Sequence, residues 1–288
     1  MYIYETLDNI DTQTLHRAFI EAFSDYQVSM NLSLEAFQKM LVRRGYSPEI
    51  SIGAFTEPGH ELVGFILNGM RMWDGARTAY DLGTGVTSLH RQQGISSSMF
   101  QSVREELKRS QVEQYLLEVL QNNKAAFELY KKQGLSITRN FSFHKLEQGC
   151  FHAKELTYDI EYLTKVDSDT WEQLQLLWDF SPSWQNSMDS IRAVERQFVY
   201  AVVRQEKKIV GYGIVDSATG DVPQVAVLPK YRRKGIATNI VAALIKHSKG
   251  EQLRVVNVDD TCEGMKLFLH EIGFETIGHQ YEMMLTID

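Results

Sequence analysis

Leu89–Val103, LHRQQGISSSMFQSV, is the stretch that decides the fold, and it returns in altered form at Lys230–Leu244 as KYRRKGIATNIVAAL. In both, an apolar run of β type ends, Arg-x-x-Gly-x-small follows, and apolar residues then recur at helical spacing. Arg91, Gly94 and Ser96 answer Arg232, Gly235 and Ala237. A strand that turns into a helix in this way leaves backbone N–H groups unpaired at the positive end of the helix. Glycine lets an anion approach that backbone, and a small third residue keeps the way clear, so the turn reads as a cradle for a diphosphate. Taken singly, either copy is an ordinary strand-to-helix turn. Taken together they are not, because their surroundings repeat: Leu62-Val63-Gly64-Phe65 is matched by Ile209-Val210-Gly211-Tyr212, and Gln133-Gly134-Leu135 by Ile272-Gly273-Phe274. The spacing between copies shortens along the chain, as in a duplicated domain whose second copy has lost loop residues.

Strand, Arg-x-x-Gly-x-Gly/Ala, helix, strand, then Asn-x-x-Ala-x-x-Leu-Tyr-x-x-x-Gly-Phe resembles the GNAT superfamily of acetyl-CoA-dependent N-acetyltransferases. The first copy carries Asn123, Ala126, Leu129, Tyr130, Gly134 and Leu135 in that register. The resemblance implies an α/β (mixed α+β) chain of two tandem GNAT-like domains, 1–148 and 152–288, divided near Glu147–Cys150. Each is expected to hold a mostly antiparallel central sheet with a splayed strand pair and flanking helices. It implies acetyl-CoA as cofactor, held by Val86, Arg91, Gln92, Gln93, Gly94, Ile95, Ser96 and Asn123 in the first copy. The second-copy counterparts are Val227, Arg232, Arg233, Lys234, Gly235, Ile236 and Ala237. Asn123 is equally accounted for as a helix cap.

The chemistry narrows the catalytic candidates. An aliphatic ammonium with a pKa near ~10 must lose a proton to attack, and the departing thiolate must gain one. Leu117-Glu118-Val119 sets a carboxylate among apolar neighbours, where burial would make it a better base; its bland alternative is a carboxylate pointing to solvent. Tyr130, a turn before Gly134, is suited to protonating a thiolate, against the alternative of plain core packing. Leu-Glu-Val followed by this Asn-to-Tyr register resembles the ribosomal-protein N-terminal alanine acetyltransferase group, where the matching Glu is the base and the matching Tyr the acid. Asp81, in the strand before the first cradle, is a second base or substrate contact. Asp25 and Tyr26, in the loop FSDYQVSMN, fall where the family places part of its acceptor site. The second copy has Leu269 where the first has Tyr130, and Cys262 where the first has Asn123. Leucine cannot donate a proton. The N-terminal half is therefore expected to catalyse, and the C-terminal half to be degenerate and shape the acceptor cleft. Against this stands a chain that binds acyl-CoA, or a partner, without turnover.

Composition limits the field. The 37 acidic and 30 basic side chains of the 288 residues give a net charge of −7, which argues against nucleic acid as partner. An amine on a small molecule or peptide remains. Cys150 and Cys262, one in each half, fit free thiols in a reducing compartment. MYIYETLDNIDTQ has no basic segment leading into an apolar one, and no run approaches the ~20 apolar residues that span a bilayer, so a cytoplasmic location without membrane association is expected. The eight histidines show no metal-ligand spacing, and Gly83-x-Gly85 reads as a bulge or close approach within a strand.

The remaining elements follow from periodicity. Strands are expected at Tyr2–Thr6, Glu49–Phe55, Leu62–Arg71, Arg77–Thr87 and Tyr115–Leu120, then a closing pair through Leu146. In the second half they fall at Leu156–Leu163, Gln197–Val203, Lys208–Val215, Val222–Leu228, Arg254–Val258 and Tyr281–Thr286. Helices are expected around Leu15–Phe23 and Leu34–Leu41 and over Gln92–Arg109, Asn123–Lys132, Lys234–His247 and Cys262–Glu271. Asp169-Thr170-Trp171-Glu172 reads as a capping box, and SPSWQNS as a loop with Trp184 exposed.

Overall fold

The computed structural model describes residues 1–25, 30–152, 157–163 and 165–287. The chain forms two compact units. Unit 1 comprises Met1–Val119, Asn123–Thr138 and the chain from Glu282 on; unit 2 comprises Leu120–Asn122 and Arg139–Tyr281.

In unit 1, β1 (Tyr2–Thr6), β2 (Ile52–Thr56), β3 (Leu62–Trp73) and β4 (Ala76–Val86) form an antiparallel run. Asp74 and Gly75 turn β3 into β4 with φ of 49° and 82°, the left-handed pair a tight hairpin requires. β4 pairs in parallel with β5 (Gln114–Leu120) over Thr78–Tyr80 against Gln114–Leu116, and the register ends there. β4 bulges at Leu82, since Leu67 faces Gly83 and the next residue, Asn68, faces Asp81. Two helices pack on this sheet, α1 (Thr12–Ala22) and α3 (Ile95–Arg109), and α2 (Leu34–Arg44) packs against α1. Asp11 caps α1 and Ser33 caps α2 with side-chain oxygens. Phe19 of α1 is fully buried and lies 4.7 Å from Phe23 and 4.9 Å from Phe37 of α2, ring to ring. Gly85 sits beneath this cluster, where a Cβ would come within 2.7 Å of Phe65 and 2.9 Å of Ala22. It is the close approach; Gly83 has ordinary room. Asn123 caps α4 (Lys124–Lys132) by accepting from the Ala126 N–H at 3.2 Å.

Unit 2 repeats the plan. β7 (Glu161–Leu163), β8 (Phe198–Gln205), β9 (Lys208–Asp216) and β10 (Gln224–Val227) form an antiparallel sheet. Asp221, just before β10, forms an isolated parallel bridge with Arg254 of β11 (Gln252–Asp259). Four helices, α5 (Ser168–Gln175), α6 (Met188–Ala193), α7 (Ile236–His247) and α8 (Glu263–Glu271), complete it. Ile240 and Leu244 of α7 pack with Val203, Leu253, Leu269 and Phe274 in its core.

The ends of both units differ from the expectation. The closing pair of strands through Leu146 is one strand, β6 (Ser136–Glu147), and β12 (Glu275–Thr286) supplies the other member. Glu282–Thr286 lies beside β5 in unit 1, while Glu275–Tyr281 lies beside β6 in unit 2, with β11 on the far side of β6. The Ile287 N–H donates to the Glu113 carbonyl at 2.9 Å in unit 1, and β6 pairs antiparallel with β11 in unit 2. The compact units therefore do not part at residue 148: β6 and β12 each belong to both. Smaller corrections follow from burial and capping. Asp167, rather than Asp169, caps α5 by accepting from the Thr170 N–H at 2.8 Å. Trp184 is 0 % exposed, and its carbonyl accepts from Ser187 and Ser190 hydroxyls at 2.8 and 2.6 Å. Residues 48–50 form a short 3-10 turn, so β2 starts at Ile52. Of the strand expected from Leu156, Glu161–Leu163 is formed and Leu156 lies outside the described residues. No helix among the described residues is long and apolar enough to cross a membrane.

Candidate active site

The two Arg-x-x-Gly turns have one geometry. Arg91 and Arg232 share φ −68° and ψ 163°; Gln92 and Arg233 are left-handed at 62° and 59°; Gly94 and Gly235 are left-handed at 77° and 83°. Both glycines start a helix that no side chain among the described residues caps, in contrast to α1 and α2. The first-turn N–H groups of α3 and α7 are thus left for a ligand. A Cβ on Gly94 would touch nothing within 4 Å, and one on Gly235 would meet the Asn239 amide at 3.8 Å, so the approach is open. Gln92, Gln93, Arg233 and Lys234 are exposed, whereas Ile95 and Ile236 anchor the turns from below, 2 % exposed each. Ser96 and Ala237 follow in the first helical turn, half-buried.

In unit 2 the turn floors a cleft of 610 Å³ whose walls include Val225, Val227, Arg232, Thr238 and Phe268. Ala237 lines it as well. Arg233 lines it and pairs with Glu271 at 3.2 Å, and the Lys234 ammonium lies 5.4 Å over the ring of Tyr231, another lining residue. The residues present fit a coenzyme A diphosphate: uncapped N–H groups, a left-handed glycine and flanking cations. The first turn is less basic. The Tyr2 hydroxyl donates to Gln93 at 2.9 Å, and Gln92 and Gln93 stand where unit 2 has Arg233 and Lys234.

Both arginines are held by groups of the protein itself. Arg91 Nε donates to the Val86 carbonyl at 3.0 Å, and its guanidinium meets both oxygens of Asp25 at 2.6 and 2.8 Å. The acceptor-side candidate Asp25 is therefore the partner of Arg91, which holds its carboxyl below the usual range. Tyr26 lies outside the described residues. Arg232 repeats the arrangement, with Nε on the Val227 carbonyl at 2.9 Å and Nη2 on Asp179 at 2.5 Å.

The titratable groups gather in unit 1, where β4 and β5 part. Tyr130 is 8 % exposed, and its hydroxyl donates to Asp81 Oδ2 at 3.2 Å. Asp81 also accepts from the Gly83 N–H at 2.8 Å and the Thr84 hydroxyl at 2.7 Å. Burial pushes its carboxyl up to about 6, against the opposing pull of those hydrogen bonds. Glu118, half-buried on β5, hydrogen-bonds the Tyr80 hydroxyl, whose own pKa is driven well up, by burial first and then by the nearby Glu118 charge. The acid candidate Tyr130 thus bonds Asp81, while the base candidate Glu118 bonds Tyr80. Tyr80, Thr84 and Arg44 join the site without a motif to announce them; Arg44 donates to the Leu82 carbonyl at 3.0 Å from α2. Arg44 comes in over 38 residues of chain, whereas Tyr80 and Thr84 are near neighbours of Asp81 on β4 that no motif singles out.

Unit 2 has no such pair at the matching place. Leu269 is 0 % exposed in the core, and Cys262 precedes α8 without a side-chain cap. There the Tyr212 hydroxyl is held between the Trp178 indole and Gln224, both at 2.7 Å. Among the described residues no group of three or more His, Cys, Asp or Glu is placed to hold a metal ion.

A pair of uncapped glycine turns, a parallel strand pair that parts, and a buried tyrosine against a carboxylate define a fold of the acyltransferase class. The chain belongs to the acetyltransferase (GNAT) family, whose profile matches residues 13–135 and again 163–274. No curated protein matches it in sequence. Similar solved structures extend over its whole length. A GCN5-related N-acetyltransferase from Sphaerobacter thermophilus is 16 % identical at a TM-score of 0.73, covering 99 % of this chain and 96 % of that one. A tandem GNAT protein from the clavulanic acid biosynthesis pathway is 13 % identical at 0.74, covering 100 % and 98 %. A GCN5-related N-acetyltransferase from Anabaena variabilis is 13 % identical at 0.64, covering 100 % and 73 %.

Proposed function

We propose that the protein is an N-acetyltransferase that moves an acetyl group from acetyl-CoA to a primary amine, on a small molecule or a peptide, by direct attack in a ternary complex. The observation that carries this reading is the Tyr130–Asp81 hydrogen bond at the parting of β4 and β5, which puts an acid and a base in one proton path. The donor supplies an activated acyl thioester. The neutral amine nitrogen bonds to the carbonyl carbon as the carbon–sulfur bond breaks, and the nitrogen's proton passes to Asp81. Tyr130 gives its own proton to the thiolate, and Asp81 restores it across the hydrogen bond. One proton thus leaves nitrogen and one arrives on sulfur. A carboxyl near 6 is ionised at neutral pH yet more basic than an ordinary aspartate, which suits the accepting role. Glu118, beside Tyr80, is the alternative base.

This assigns catalysis to unit 1. The test compares Tyr130→Phe with Arg232→Ala in a thiol-release assay across a panel of amines. Tyr130→Phe is expected to lower kcat by about 10²–10⁴-fold while leaving CoA binding intact. Loss confined to Arg232→Ala would move catalysis to unit 2.

A second reading applies to unit 2 taken alone. Leu269 in place of an acid, beside a well-formed basic cleft, favours acyl-CoA binding without turnover there. CoA bound in calorimetry by the Tyr130→Phe variant, with no thiol released, would match it.

A further inference from the structure

We infer that Arg91 and Arg232 are positioning residues: each, clamped by an aspartate from the loop after the first helix of its unit, fixes the strand end and the turn, and neither serves as a phosphate ligand. The inference rests on the reading of the turns as CoA cradles. Its support is that the same clamp is built twice from different loops. Nε of each arginine donates to the carbonyl of the last residue of β4 or β10, at 3.0 Å to Val86 and 2.9 Å to Val227. The guanidinium then meets Asp25 in unit 1, and Asp179, which lines the cleft wall, in unit 2. Arg91 Nη2 adds the Ala22 carbonyl at 2.9 Å, at the end of α1. One side chain thus joins the splayed strand, the loop and the glycine turn. Both aspartates have kept their place although Gln92 and Gln93 stand opposite Arg233 and Lys234, so the clamp does not depend on how basic the turn is.

Charge points the same way. A guanidinium whose Nε and Nη donors are committed to a carbonyl and a carboxylate has its charge largely neutralised and its planar fork already used. A lysine cannot reproduce that geometry, because one ammonium cannot grip a carbonyl and a carboxylate along a rigid plane. The positive charge facing a diphosphate in unit 2 falls to Lys234, to the N–H groups of the turn and to Arg233, whose pair with Glu271 is solvent-exposed and weak, unlike the more buried pair of Arg232 with Asp179.

The opposed hypotheses differ in sign at Asp179. Were Arg232 a phosphate ligand, Asp179 would compete with the phosphate, and Asp179→Asn would tighten CoA binding. As a clamp, Asp179→Asn must weaken it. The experiment titrates the full chain with CoA by calorimetry at several salt concentrations, for wild type, Asp179→Asn, Arg232→Lys and Arg233→Gln. Asp179→Asn and Arg232→Lys are each expected to weaken binding about tenfold, with the dependence of log Kd on log salt unchanged. Arg233→Gln is expected to flatten that dependence, as loss of a phosphate contact does. Tighter binding by Asp179→Asn, or wild-type affinity in Arg232→Lys, since an ammonium still serves as a phosphate ligand, overturns the clamp. If Asp179→Asn fails to fold, Arg232→Lys alone decides by affinity: weakening supports the clamp and wild-type affinity overturns it. If the wild type binds no CoA, the cradle reading itself falls.

Discussion

Asp81 shows at the scale of one side chain how the fold turns an ordinary residue into a reactive one. Its carboxyl is buried, held by Gly83, Thr84 and Tyr130, and raised to about 6 because desolvation outweighs those three hydrogen bonds. A carboxyl whose pKa is higher in the folded than in the unfolded chain makes the folded state bind its proton more tightly. Stability therefore falls as pH rises from about 4 to about 6, and above that the ionised group costs on the order of 3 kcal/mol. Activity runs oppositely, rising through pH about 6 as the carboxylate forms. Asp81→Asn is expected to abolish both dependences, which urea titrations and a rate profile over that range would check. Persistence of the acid limb in the variant would assign it to Glu118 instead. Asp81 and Tyr130 were each visible as candidates, yet their contact was not. They lie 49 residues apart, on a strand and on the helix after the next strand, and no local pattern encodes which partner a buried carboxylate meets. The same holds for Asp25, whose partner Arg91 lies 66 residues further along the chain.

The strand-turn-helix element separates packing glycines from ligand-facing ones. Gly85→Ala should cost about 1–3 kcal/mol of stability, since the added methyl meets Phe65 and Ala22 below 3 Å. Gly235→Ala meets nothing so close; its penalty is that of a left-handed residue, about 1–2 kcal/mol, while its methyl fills the approach to the turn. Thermal melts and CoA titrations of the two variants should thus split, with affinity lost out of proportion to stability in Gly235→Ala. Elements of this kind were legible because their signals are local: Asp74-Gly75 for the hairpin, Ser33 for a cap, Arg-x-x-Gly for the turn. Trp184 was not, because a polar run of serines and asparagine around it reads as solvent-facing. In the fold Asn186 and Ser190 are themselves buried and bonded, Asn186 donating to the Val256 carbonyl at 2.9 Å.

For the whole molecule, the duplication was legible and the exchange of strands was not. Alternation tells which face of a strand is apolar, not which neighbour it pairs with. Residues 1–148 alone would lack Glu282–Thr286, the strand segment beside β5, and leave that edge bare. This fragment is expected to self-associate, or to melt well below the full chain, in size-exclusion chromatography and circular dichroism. A monomer with the full chain's melting temperature would refute it. The shared β12 also bears on synthesis. Domains of a growing chain usually fold in turn from the first made. Here the sheet of unit 1 stays one strand short until residues 282–287 have cleared the ribosome, so β1, the first strand made, belongs to a sheet that is completed only after all of unit 2 has been translated.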